Sequence, residues 1–241
     1  MKRMMAVAAL GLFAIAPATY AEGTAAFRIG PTIGSYKIDL TATQFPSGGG
    51  QVPQPGFSGD NQFSYGLTSG FQYAYAGLFA DLGLELLQIN ESDSNSNDDF
   101  KRTDMLLSAG YRFADHYSVY GGYRWGQQSQ DKFFDDEFLK DSGPLVGAAI
   151  NFPVGNAATF GASLAYCFNK VDGDSINSSE DLDYGGISAR LSLTFAGAHS
   201  LQLRYQRFSG DISFPDGGGG RVDVNLQEQY LNLYYVYNLV I

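Results

Sequence analysis

The feature that most constrains this chain is the strict alternation of its last thirteen residues, Gln229 to Ile241. Leu231, Leu233, Tyr235, Tyr237, Leu239 and Ile241 recur at a spacing of two, with Tyr230, Asn232, Tyr234, Val236 and Asn238 between them. Successive side chains of a strand point to opposite faces, so this segment is a strand with one oily face and one mixed face. Its two edges carry unpaired backbone groups, and pairing the last strand with the first removes both.

The same alternation runs back to Glu22. It predicts strands at about 25–41, 63–75, 77–89, 102–114, 117–129, 142–153, 157–170, 183–195, 199–211 and 227–241. Four connections are short, at Tyr75 to Gly77, Ala114 to His116, Val154 to Asn156 and Ala196 to His199. Five are long, at Ala42 to Gln62, Asn90 to Lys101, Gln130 to Asp141, Val171 to Leu182 and Ile212 to Leu226. Short and long connections take turns along the chain, which implies ten strands with both termini on the short-turn side. Strand one carries Pro31 and strand six is rich in Gly and Ala, so eight strands are the alternative, with one hairpin folded into the loops. A propeller is opposed by the length of the strands and the absence of a Trp-Asp signature.

Residues 1–21 read as a cleaved signal peptide: Lys2 and Arg3 are followed by an apolar run from Met4 to Ala16, Pro17, and a small-residue site ending at Ala21. That run is too short to cross a bilayer. Without Lys2 and Arg3 the net charge moves from −10 to −12, which argues against nucleic acid as a partner. Mean hydropathy is −0.14, so a membrane assignment has to rest on alternation. The single cysteine, Cys167, can form no intrachain disulfide.

The oily-faced closing strand, the even strand count and the alternating turn lengths resemble the small bacterial outer-membrane β-barrel proteins of the porin-like class. The resemblance implies an all-β fold: residues 22–241 as a single antiparallel transmembrane β-barrel in a Gram-negative outer membrane, with short periplasmic turns and long extracellular loops. It implies the lipid bilayer, lipopolysaccharide and the outer-membrane assembly machinery as partners. Such chains usually end in an aromatic residue, where this one has Ile241.

Alternation also sorts the side chains. Leu78, Ala80, Leu82, Leu84 and Leu86 are expected outside, and Met105, Leu107, Ala109, Tyr111 and Phe113 likewise, with aromatics gathering near both strand ends as interfacial girdles. Asp81, Glu85, Asp104, Arg112, Arg124, Arg190 and Arg204 then form a charge layer in the lumen. Asp81 and Arg112 stand close enough on adjacent strands to pair. Near mid-height three arginines face one glutamate, so Asp104 or water is needed to compensate them.

Eighteen of the 25 acidic residues fall in or beside the long loops. They include Asp98 and Asp99; Asp135, Asp136 and Glu137; and Asp172, Asp174, Glu180 and Asp181. Such a rim would bridge divalent cations to lipopolysaccharide or dock a basic partner, or simply keep the loops solvated. Asp172-Gly173-Asp174 misses the calcium-loop spacing because Ile176 stands where an oxygen ligand belongs. Gly48 to Gly50 and Gly217 to Gly220 open no helix and read as loop tips, not phosphate cradles. The ten-strand count is similar to that of the omptin proteases, whose family places histidine at the outer end. Here His116 and His199 both fall in short turns. The expectation is therefore a non-enzymatic protein with no cofactor and no metal, acting structurally or through its acidic loops. A narrow passive channel is the second reading and an outer-membrane hydrolase the third.

Overall fold

In the computed structural model, which describes residues 23–58, 61–90, 100–129, 139–172, 182–196, 198–215 and 219–241, the alternating segments are strands. They are β1 (Thr24–Phe45), β2 (Val52–Ser58), β3 (Gln62–Tyr75), β4 (Leu78–Asn90), β5 (Phe100–Phe113), β6 (Tyr117–Ser129), β7 (Leu139–Val154), β8 (Ala158–Asp172), β9 (Leu182–Phe195), β10 (His199–Pro215) and β11 (Arg221–Val240). All neighbours are antiparallel, and β11 pairs with β1 from Ala26↔Val240 to Phe45↔Arg221. The sheet thus closes into ten strands, β2 being an extra one beside β1.

The register sets the shape of the closed sheet. A walk from Ala26 along paired residues passes Gln72, Asp81, Ser108, Gly122, Leu145, Cys167, Gly186, Phe208 and Glu228, and returns to β1 at Ile38, twelve residues on. With a rise of about 3.3 Å per residue and a strand spacing of about 4.8 Å, that stagger tilts the strands by roughly 40° and gives a backbone radius of roughly 10 Å.

The faces follow the sequence pattern, inside out relative to a soluble protein. Along β11, Leu231, Leu233, Tyr235, Tyr237 and Leu239 are all more than 40% exposed, whereas Tyr230, Asn232, Tyr234, Val236 and Asn238 are 4% or less. Tyr73, Tyr111, Phe113, Tyr117 and Phe152 ring the short-turn end, and Tyr65, Tyr123, Trp125, Tyr166 and Phe168 ring the other. Between the outermost aromatics the outward apolar band is about 30 Å tall at this tilt, enough to match a hydrocarbon core with its interfaces. The short turns need few residues because they are tight: Ala76 and Gly77 both take positive φ, 49° and 85°, as a two-residue hairpin requires.

Four features differ from the sequence expectation. The long connection 42–62 contains β2, whose Pro53 and Pro55 hide its strand character. The connection 212–226 shrinks, because β10 runs to Pro215 and β11 starts at Arg221. β7 begins at Leu139, which moves Asp141 from a loop into a strand. Leu84 keeps its outward register but is only 5% exposed, covered by its neighbours. Pro31 is tolerated: it pairs in register with Leu67 of β3, and the β1–β11 ladder skips Gly30 and Pro31. Residues 1–21, Asp98, Asp99, Asp135, Asp136, Glu137, Asp174, Glu180 and Asp181 lie outside the described residues.

β1, β10 and β11 rise beyond the other strands. At the same tilt, the wall they form with β2 stands about 15 Å above the rim of β3 to β9. The lipid-facing assignment is testable on the seam itself: Leu233→Arg is expected to lower stability by about 2–4 kcal/mol in urea titrations of vesicle-inserted protein, and the same change at half-buried Asn225, above the membrane zone, by far less.

Candidate functional site

A ten-stranded cylinder of this radius is about 20 Å across, twice the separation of two sheets packed face to face. Short side chains cannot meet at its axis, so the interior is spanned by arginine, glutamate and tyrosine. Arg28, Arg102, Arg124, Arg190 and Arg204 and, against them, Asp81, Glu85, Asp104, Asp141 and Glu228 are all buried. Five cations meet five carboxylates.

They form three tiers. Nearest the short turns, Arg28 Nη2 lies 2.6 Å from Asp81 Oδ2. Above it Arg204 pairs with Glu85, which also accepts from Tyr234 Oη at 2.6 Å and from Asn232 Nδ2 at 3.4 Å. Highest is a cluster in which Arg102 reaches Asp104 at 3.1 Å, Asp141 at 3.0 Å and Glu228 at 3.4 Å. Arg124 pairs with Asp104 at 2.5 Å and with Asp141. Glu228 is caged by the hydroxyls of Tyr184, Tyr230 and Tyr36, which donate to it at 2.5, 3.1 and 3.1 Å. The guanidinium groups of Arg102, Arg124 and Arg204 also lie over the rings of Tyr230, Phe208 and Tyr234, at 4.8, 4.5 and 5.2 Å. Charged groups are stable in a low-dielectric interior when neutralised and hydrogen-bonded. In this network the five carboxylates are each paired with an arginine, while the atoms Arg28 Nε and Nη1, Asp81 Oδ1, Arg190 Nε and Arg204 Nε are buried without a hydrogen-bond partner. Backbone makes room for it: a Cβ on Gly126 would clash with Asp141 Oδ1 and stand 2.8 Å from Arg102 Nη2.

Of the residues expected in the lumen layer, Asp81, Glu85, Asp104, Arg124, Arg190 and Arg204 are buried in the barrel. Arg112 is half-buried near the short turns, below the layer. Two expectations are corrected. The partner of Asp81 is Arg28 rather than Arg112, because the lumen is narrow enough for β1 and β4 to meet across β3. The other is the placing of Asp141 in a loop: Asp104 compensates Arg124 as expected, and Asp141 joins it from the strand on the other side. Sequence reasoning missed Arg28, Arg102, Asp141 and Glu228. Parity marks Arg28, Arg102 and Glu228 as inward within the strands expected at 25–41, 102–114 and 227–241, whereas the loop expected at 130–141 hides Asp141.

An apolar cap closes the network on the long-loop side, where Ile38, Leu40, Phe100 and Val224 pack on Ile89, Val171 and Leu226. The remaining space lies to one side, along the small residues of β7 to β9. It comprises a cavity of about 30 Å³ bordered by Arg124, Ser163, Cys167, Arg190 and Arg204, and one of about 20 Å³ bordered by Asn151, Ser163 and Ser192. Neither histidine reaches this region. His116 sits in the β5–β6 turn against Phe152, and His199 opens β10, its Nδ1 2.6 Å from Tyr235 Oη. Among the described residues no cluster of three or more His, Cys, Asp or Glu side chains is arranged to hold a metal ion.

Closure, an outward apolar band and a charged, filled interior define the class: the chain is a closed antiparallel transmembrane β-barrel of the outer-membrane type, with ten barrel strands and one extra. No family model and no curated protein matches the sequence. Solved structures that are similar include the outer membrane protein OprG from Pseudomonas aeruginosa, 13% identical over 91% of this chain and 97% of that one, with a TM-score of 0.38. The translocator domain of autotransporter NalP from Neisseria meningitidis is 15% identical over 86% and 88%, with a TM-score of 0.33. The toluene transporter TodX of P. putida is 9% identical over 89% and 90%, with a TM-score of 0.28. At such scores the class rests on the chain's own closure and faces.

Breaking the middle tier tests the network. Arg204→Ala leaves Glu85 charged and buried and is expected to cost about 3–5 kcal/mol, whereas Arg204→Met with Glu85→Leu restores most of the loss; urea unfolding monitored by tyrosine and tryptophan fluorescence measures both.

Proposed function

We propose that this protein is a non-enzymatic barrel of the Gram-negative outer membrane, exported by a signal peptide at residues 1–21, whose lumen is a plug and whose work is done at the cell surface. The observation that carries the reading is the filled lumen, in which four arginines cross-link five carboxylates and a fifth, Arg190, is buried with them, beneath an apolar cap. A permeant ion would have to break several buried ion pairs at once, each strongly destabilising to open. On this reading the lumen does not transport, and the work falls to the bilayer around the barrel and the loops above it. The acidic loops are the candidate contact surface, toward divalent cations shared with lipopolysaccharide or toward a basic partner, and the two histidines stand at the wrong end to serve a hydrolase there.

The second reading, a narrow passive channel, draws on one observation: the two small cavities beside β7 to β9 have polar side chains such as Arg190, Ser163 and Ser192 among their lining and each is large enough for water. Planar-bilayer recording separates the readings. The wild-type protein is expected to show no steady current, and Arg124→Ala with Arg204→Ala to open a leak. Because the lumen is charge-balanced, that leak turns cation-preferring as Asp104, Asp141 and Glu85 lose an arginine partner. A stable conductance in the wild type overturns the plug.

A further inference from the structure

Outside the lumen, the four described lysines of this acidic chain are gathered at a single level. The sequence has 15 Lys and Arg: two lie in residues 1–21, and Arg28, Arg102, Arg112, Arg124, Arg190 and Arg204 take inward register positions. Of the seven others, Lys37, Lys101, Lys140, Lys170 and Arg207 stand on five different barrel strands. Each alternates with a residue buried inside, namely Tyr36, Arg102, Asp141, Asn169 and Phe208, so each points outward. Lys132 lies outside the described residues, and Arg221 is at the tip of the tall wall.

The register places these five relative to one another. Twelve residues of stagger over ten strands means that a row climbs by about 1.2 residues per strand, or about 3 Å. With that slope removed, the four lysines fall within about 2 Å of one height, and Arg207 about 6 Å lower. The lysines stand about 5–8 Å above the aromatic girdle of Tyr65, Trp125 and Phe168, with Gln88, Gln127 and Gln229 filling the belt between them at nearly the same height. Among the described residues no outward Lys or Arg stands at the short-turn girdle. Lysine extends its ammonium along an apolar surface toward the headgroups, so this belt meets the layer of lipid headgroup charge. Carboxylates sit one step higher: Asp39 accepts from Lys37 Nζ at 2.7 Å, and Asp172 and Asp183 stand opposite Lys140 and Lys170 in the register.

We infer that this belt binds the phosphate groups of the outer-leaflet glycolipid directly, through its lysines and glutamines. The inference rests on the outer-membrane orientation proposed above and names the lipid contact that orientation requires. Full-length mature barrel in detergent is titrated with bisphosphorylated lipid A and, separately, with the same lipid stripped of phosphate. Bound lipid is counted by native mass spectrometry, and binding is followed by the fluorescence of Trp125, the single tryptophan.

The phosphorylated lipid is expected to bind tighter by about tenfold or more, from contributions of the size known for surface lysines on anionic membranes. Changing Lys37, Lys101, Lys140 and Lys170 together to Gln is expected to abolish the preference, and changing them to Arg to keep it, with heat-modified gel migration confirming that both variants fold. Equal binding of the two lipids, or a preference that survives the Gln variant, overturns the inference. A barrel that conducts yet keeps the preference overturns the plug and leaves the belt standing.

Discussion

Every backbone polar group that enters hydrocarbon must be hydrogen-bonded within the protein, and the closure of β11 on β1 is what meets that demand here. The rest of the structure depends on it. Closing ten strands with a twelve-residue stagger fixes tilt, radius and the level of every side chain, so one ladder decides which residues meet lipid, which meet headgroups and which meet one another inside. Even the skipped rungs at Gly30 and Pro31 fit, since proline has no hydrogen to donate.

The radius then dictates the interior. A cylinder this wide is too broad to be filled by aliphatic side chains and too narrow to stay open once arginine and tyrosine extend from its walls. Arginine suits the task because its planar fork bonds several carboxylates at once while its face rests on an aromatic ring, as Arg102 does with Asp104, Asp141, Glu228 and Tyr230. Charge balance makes this filling stable, and mutual cross-linking makes it rigid. The two small cavities lie on the Ser- and Ala-lined side, the larger one bordered by Arg124, Arg190 and Arg204.

Period-two alternation carried most of the fold, because lipid and lumen impose opposite chemistry on adjacent residues of every strand. Where that contrast fades the reading failed. Val52–Ser58 contains two prolines and reads as loop, and Asp141 reads as one more loop acid although it sits beside Lys140 on an extended strand. The network was less legible still. Arg28 and Asp81 are 53 positions apart and Arg204 and Glu85 are 119 apart, so no local pattern announces the pairs; inward parity identifies candidates, and only closure brings them together. The tyrosines of β11 did carry a signal: Tyr230 and Tyr234 alternate with Asn232 on the inner face, a hydroxyl-rich row that asks for buried acceptors, and Glu228 and Glu85 are those acceptors.

The tall wall gives the seam an unusual place in the life of the chain. Joining residue 26 to residue 240 closes a loop of nearly the entire sequence, the contact whose chain entropy is hardest to overcome and which forms late. Yet β1 and β11, at 22 and 20 residues, are the longest strands of the barrel, and their ladder extends well past the membrane zone. The last junction to be found is therefore the longest zipper, and once it has run to Phe45 and Arg221 the barrel resists reopening along the line where it was sealed.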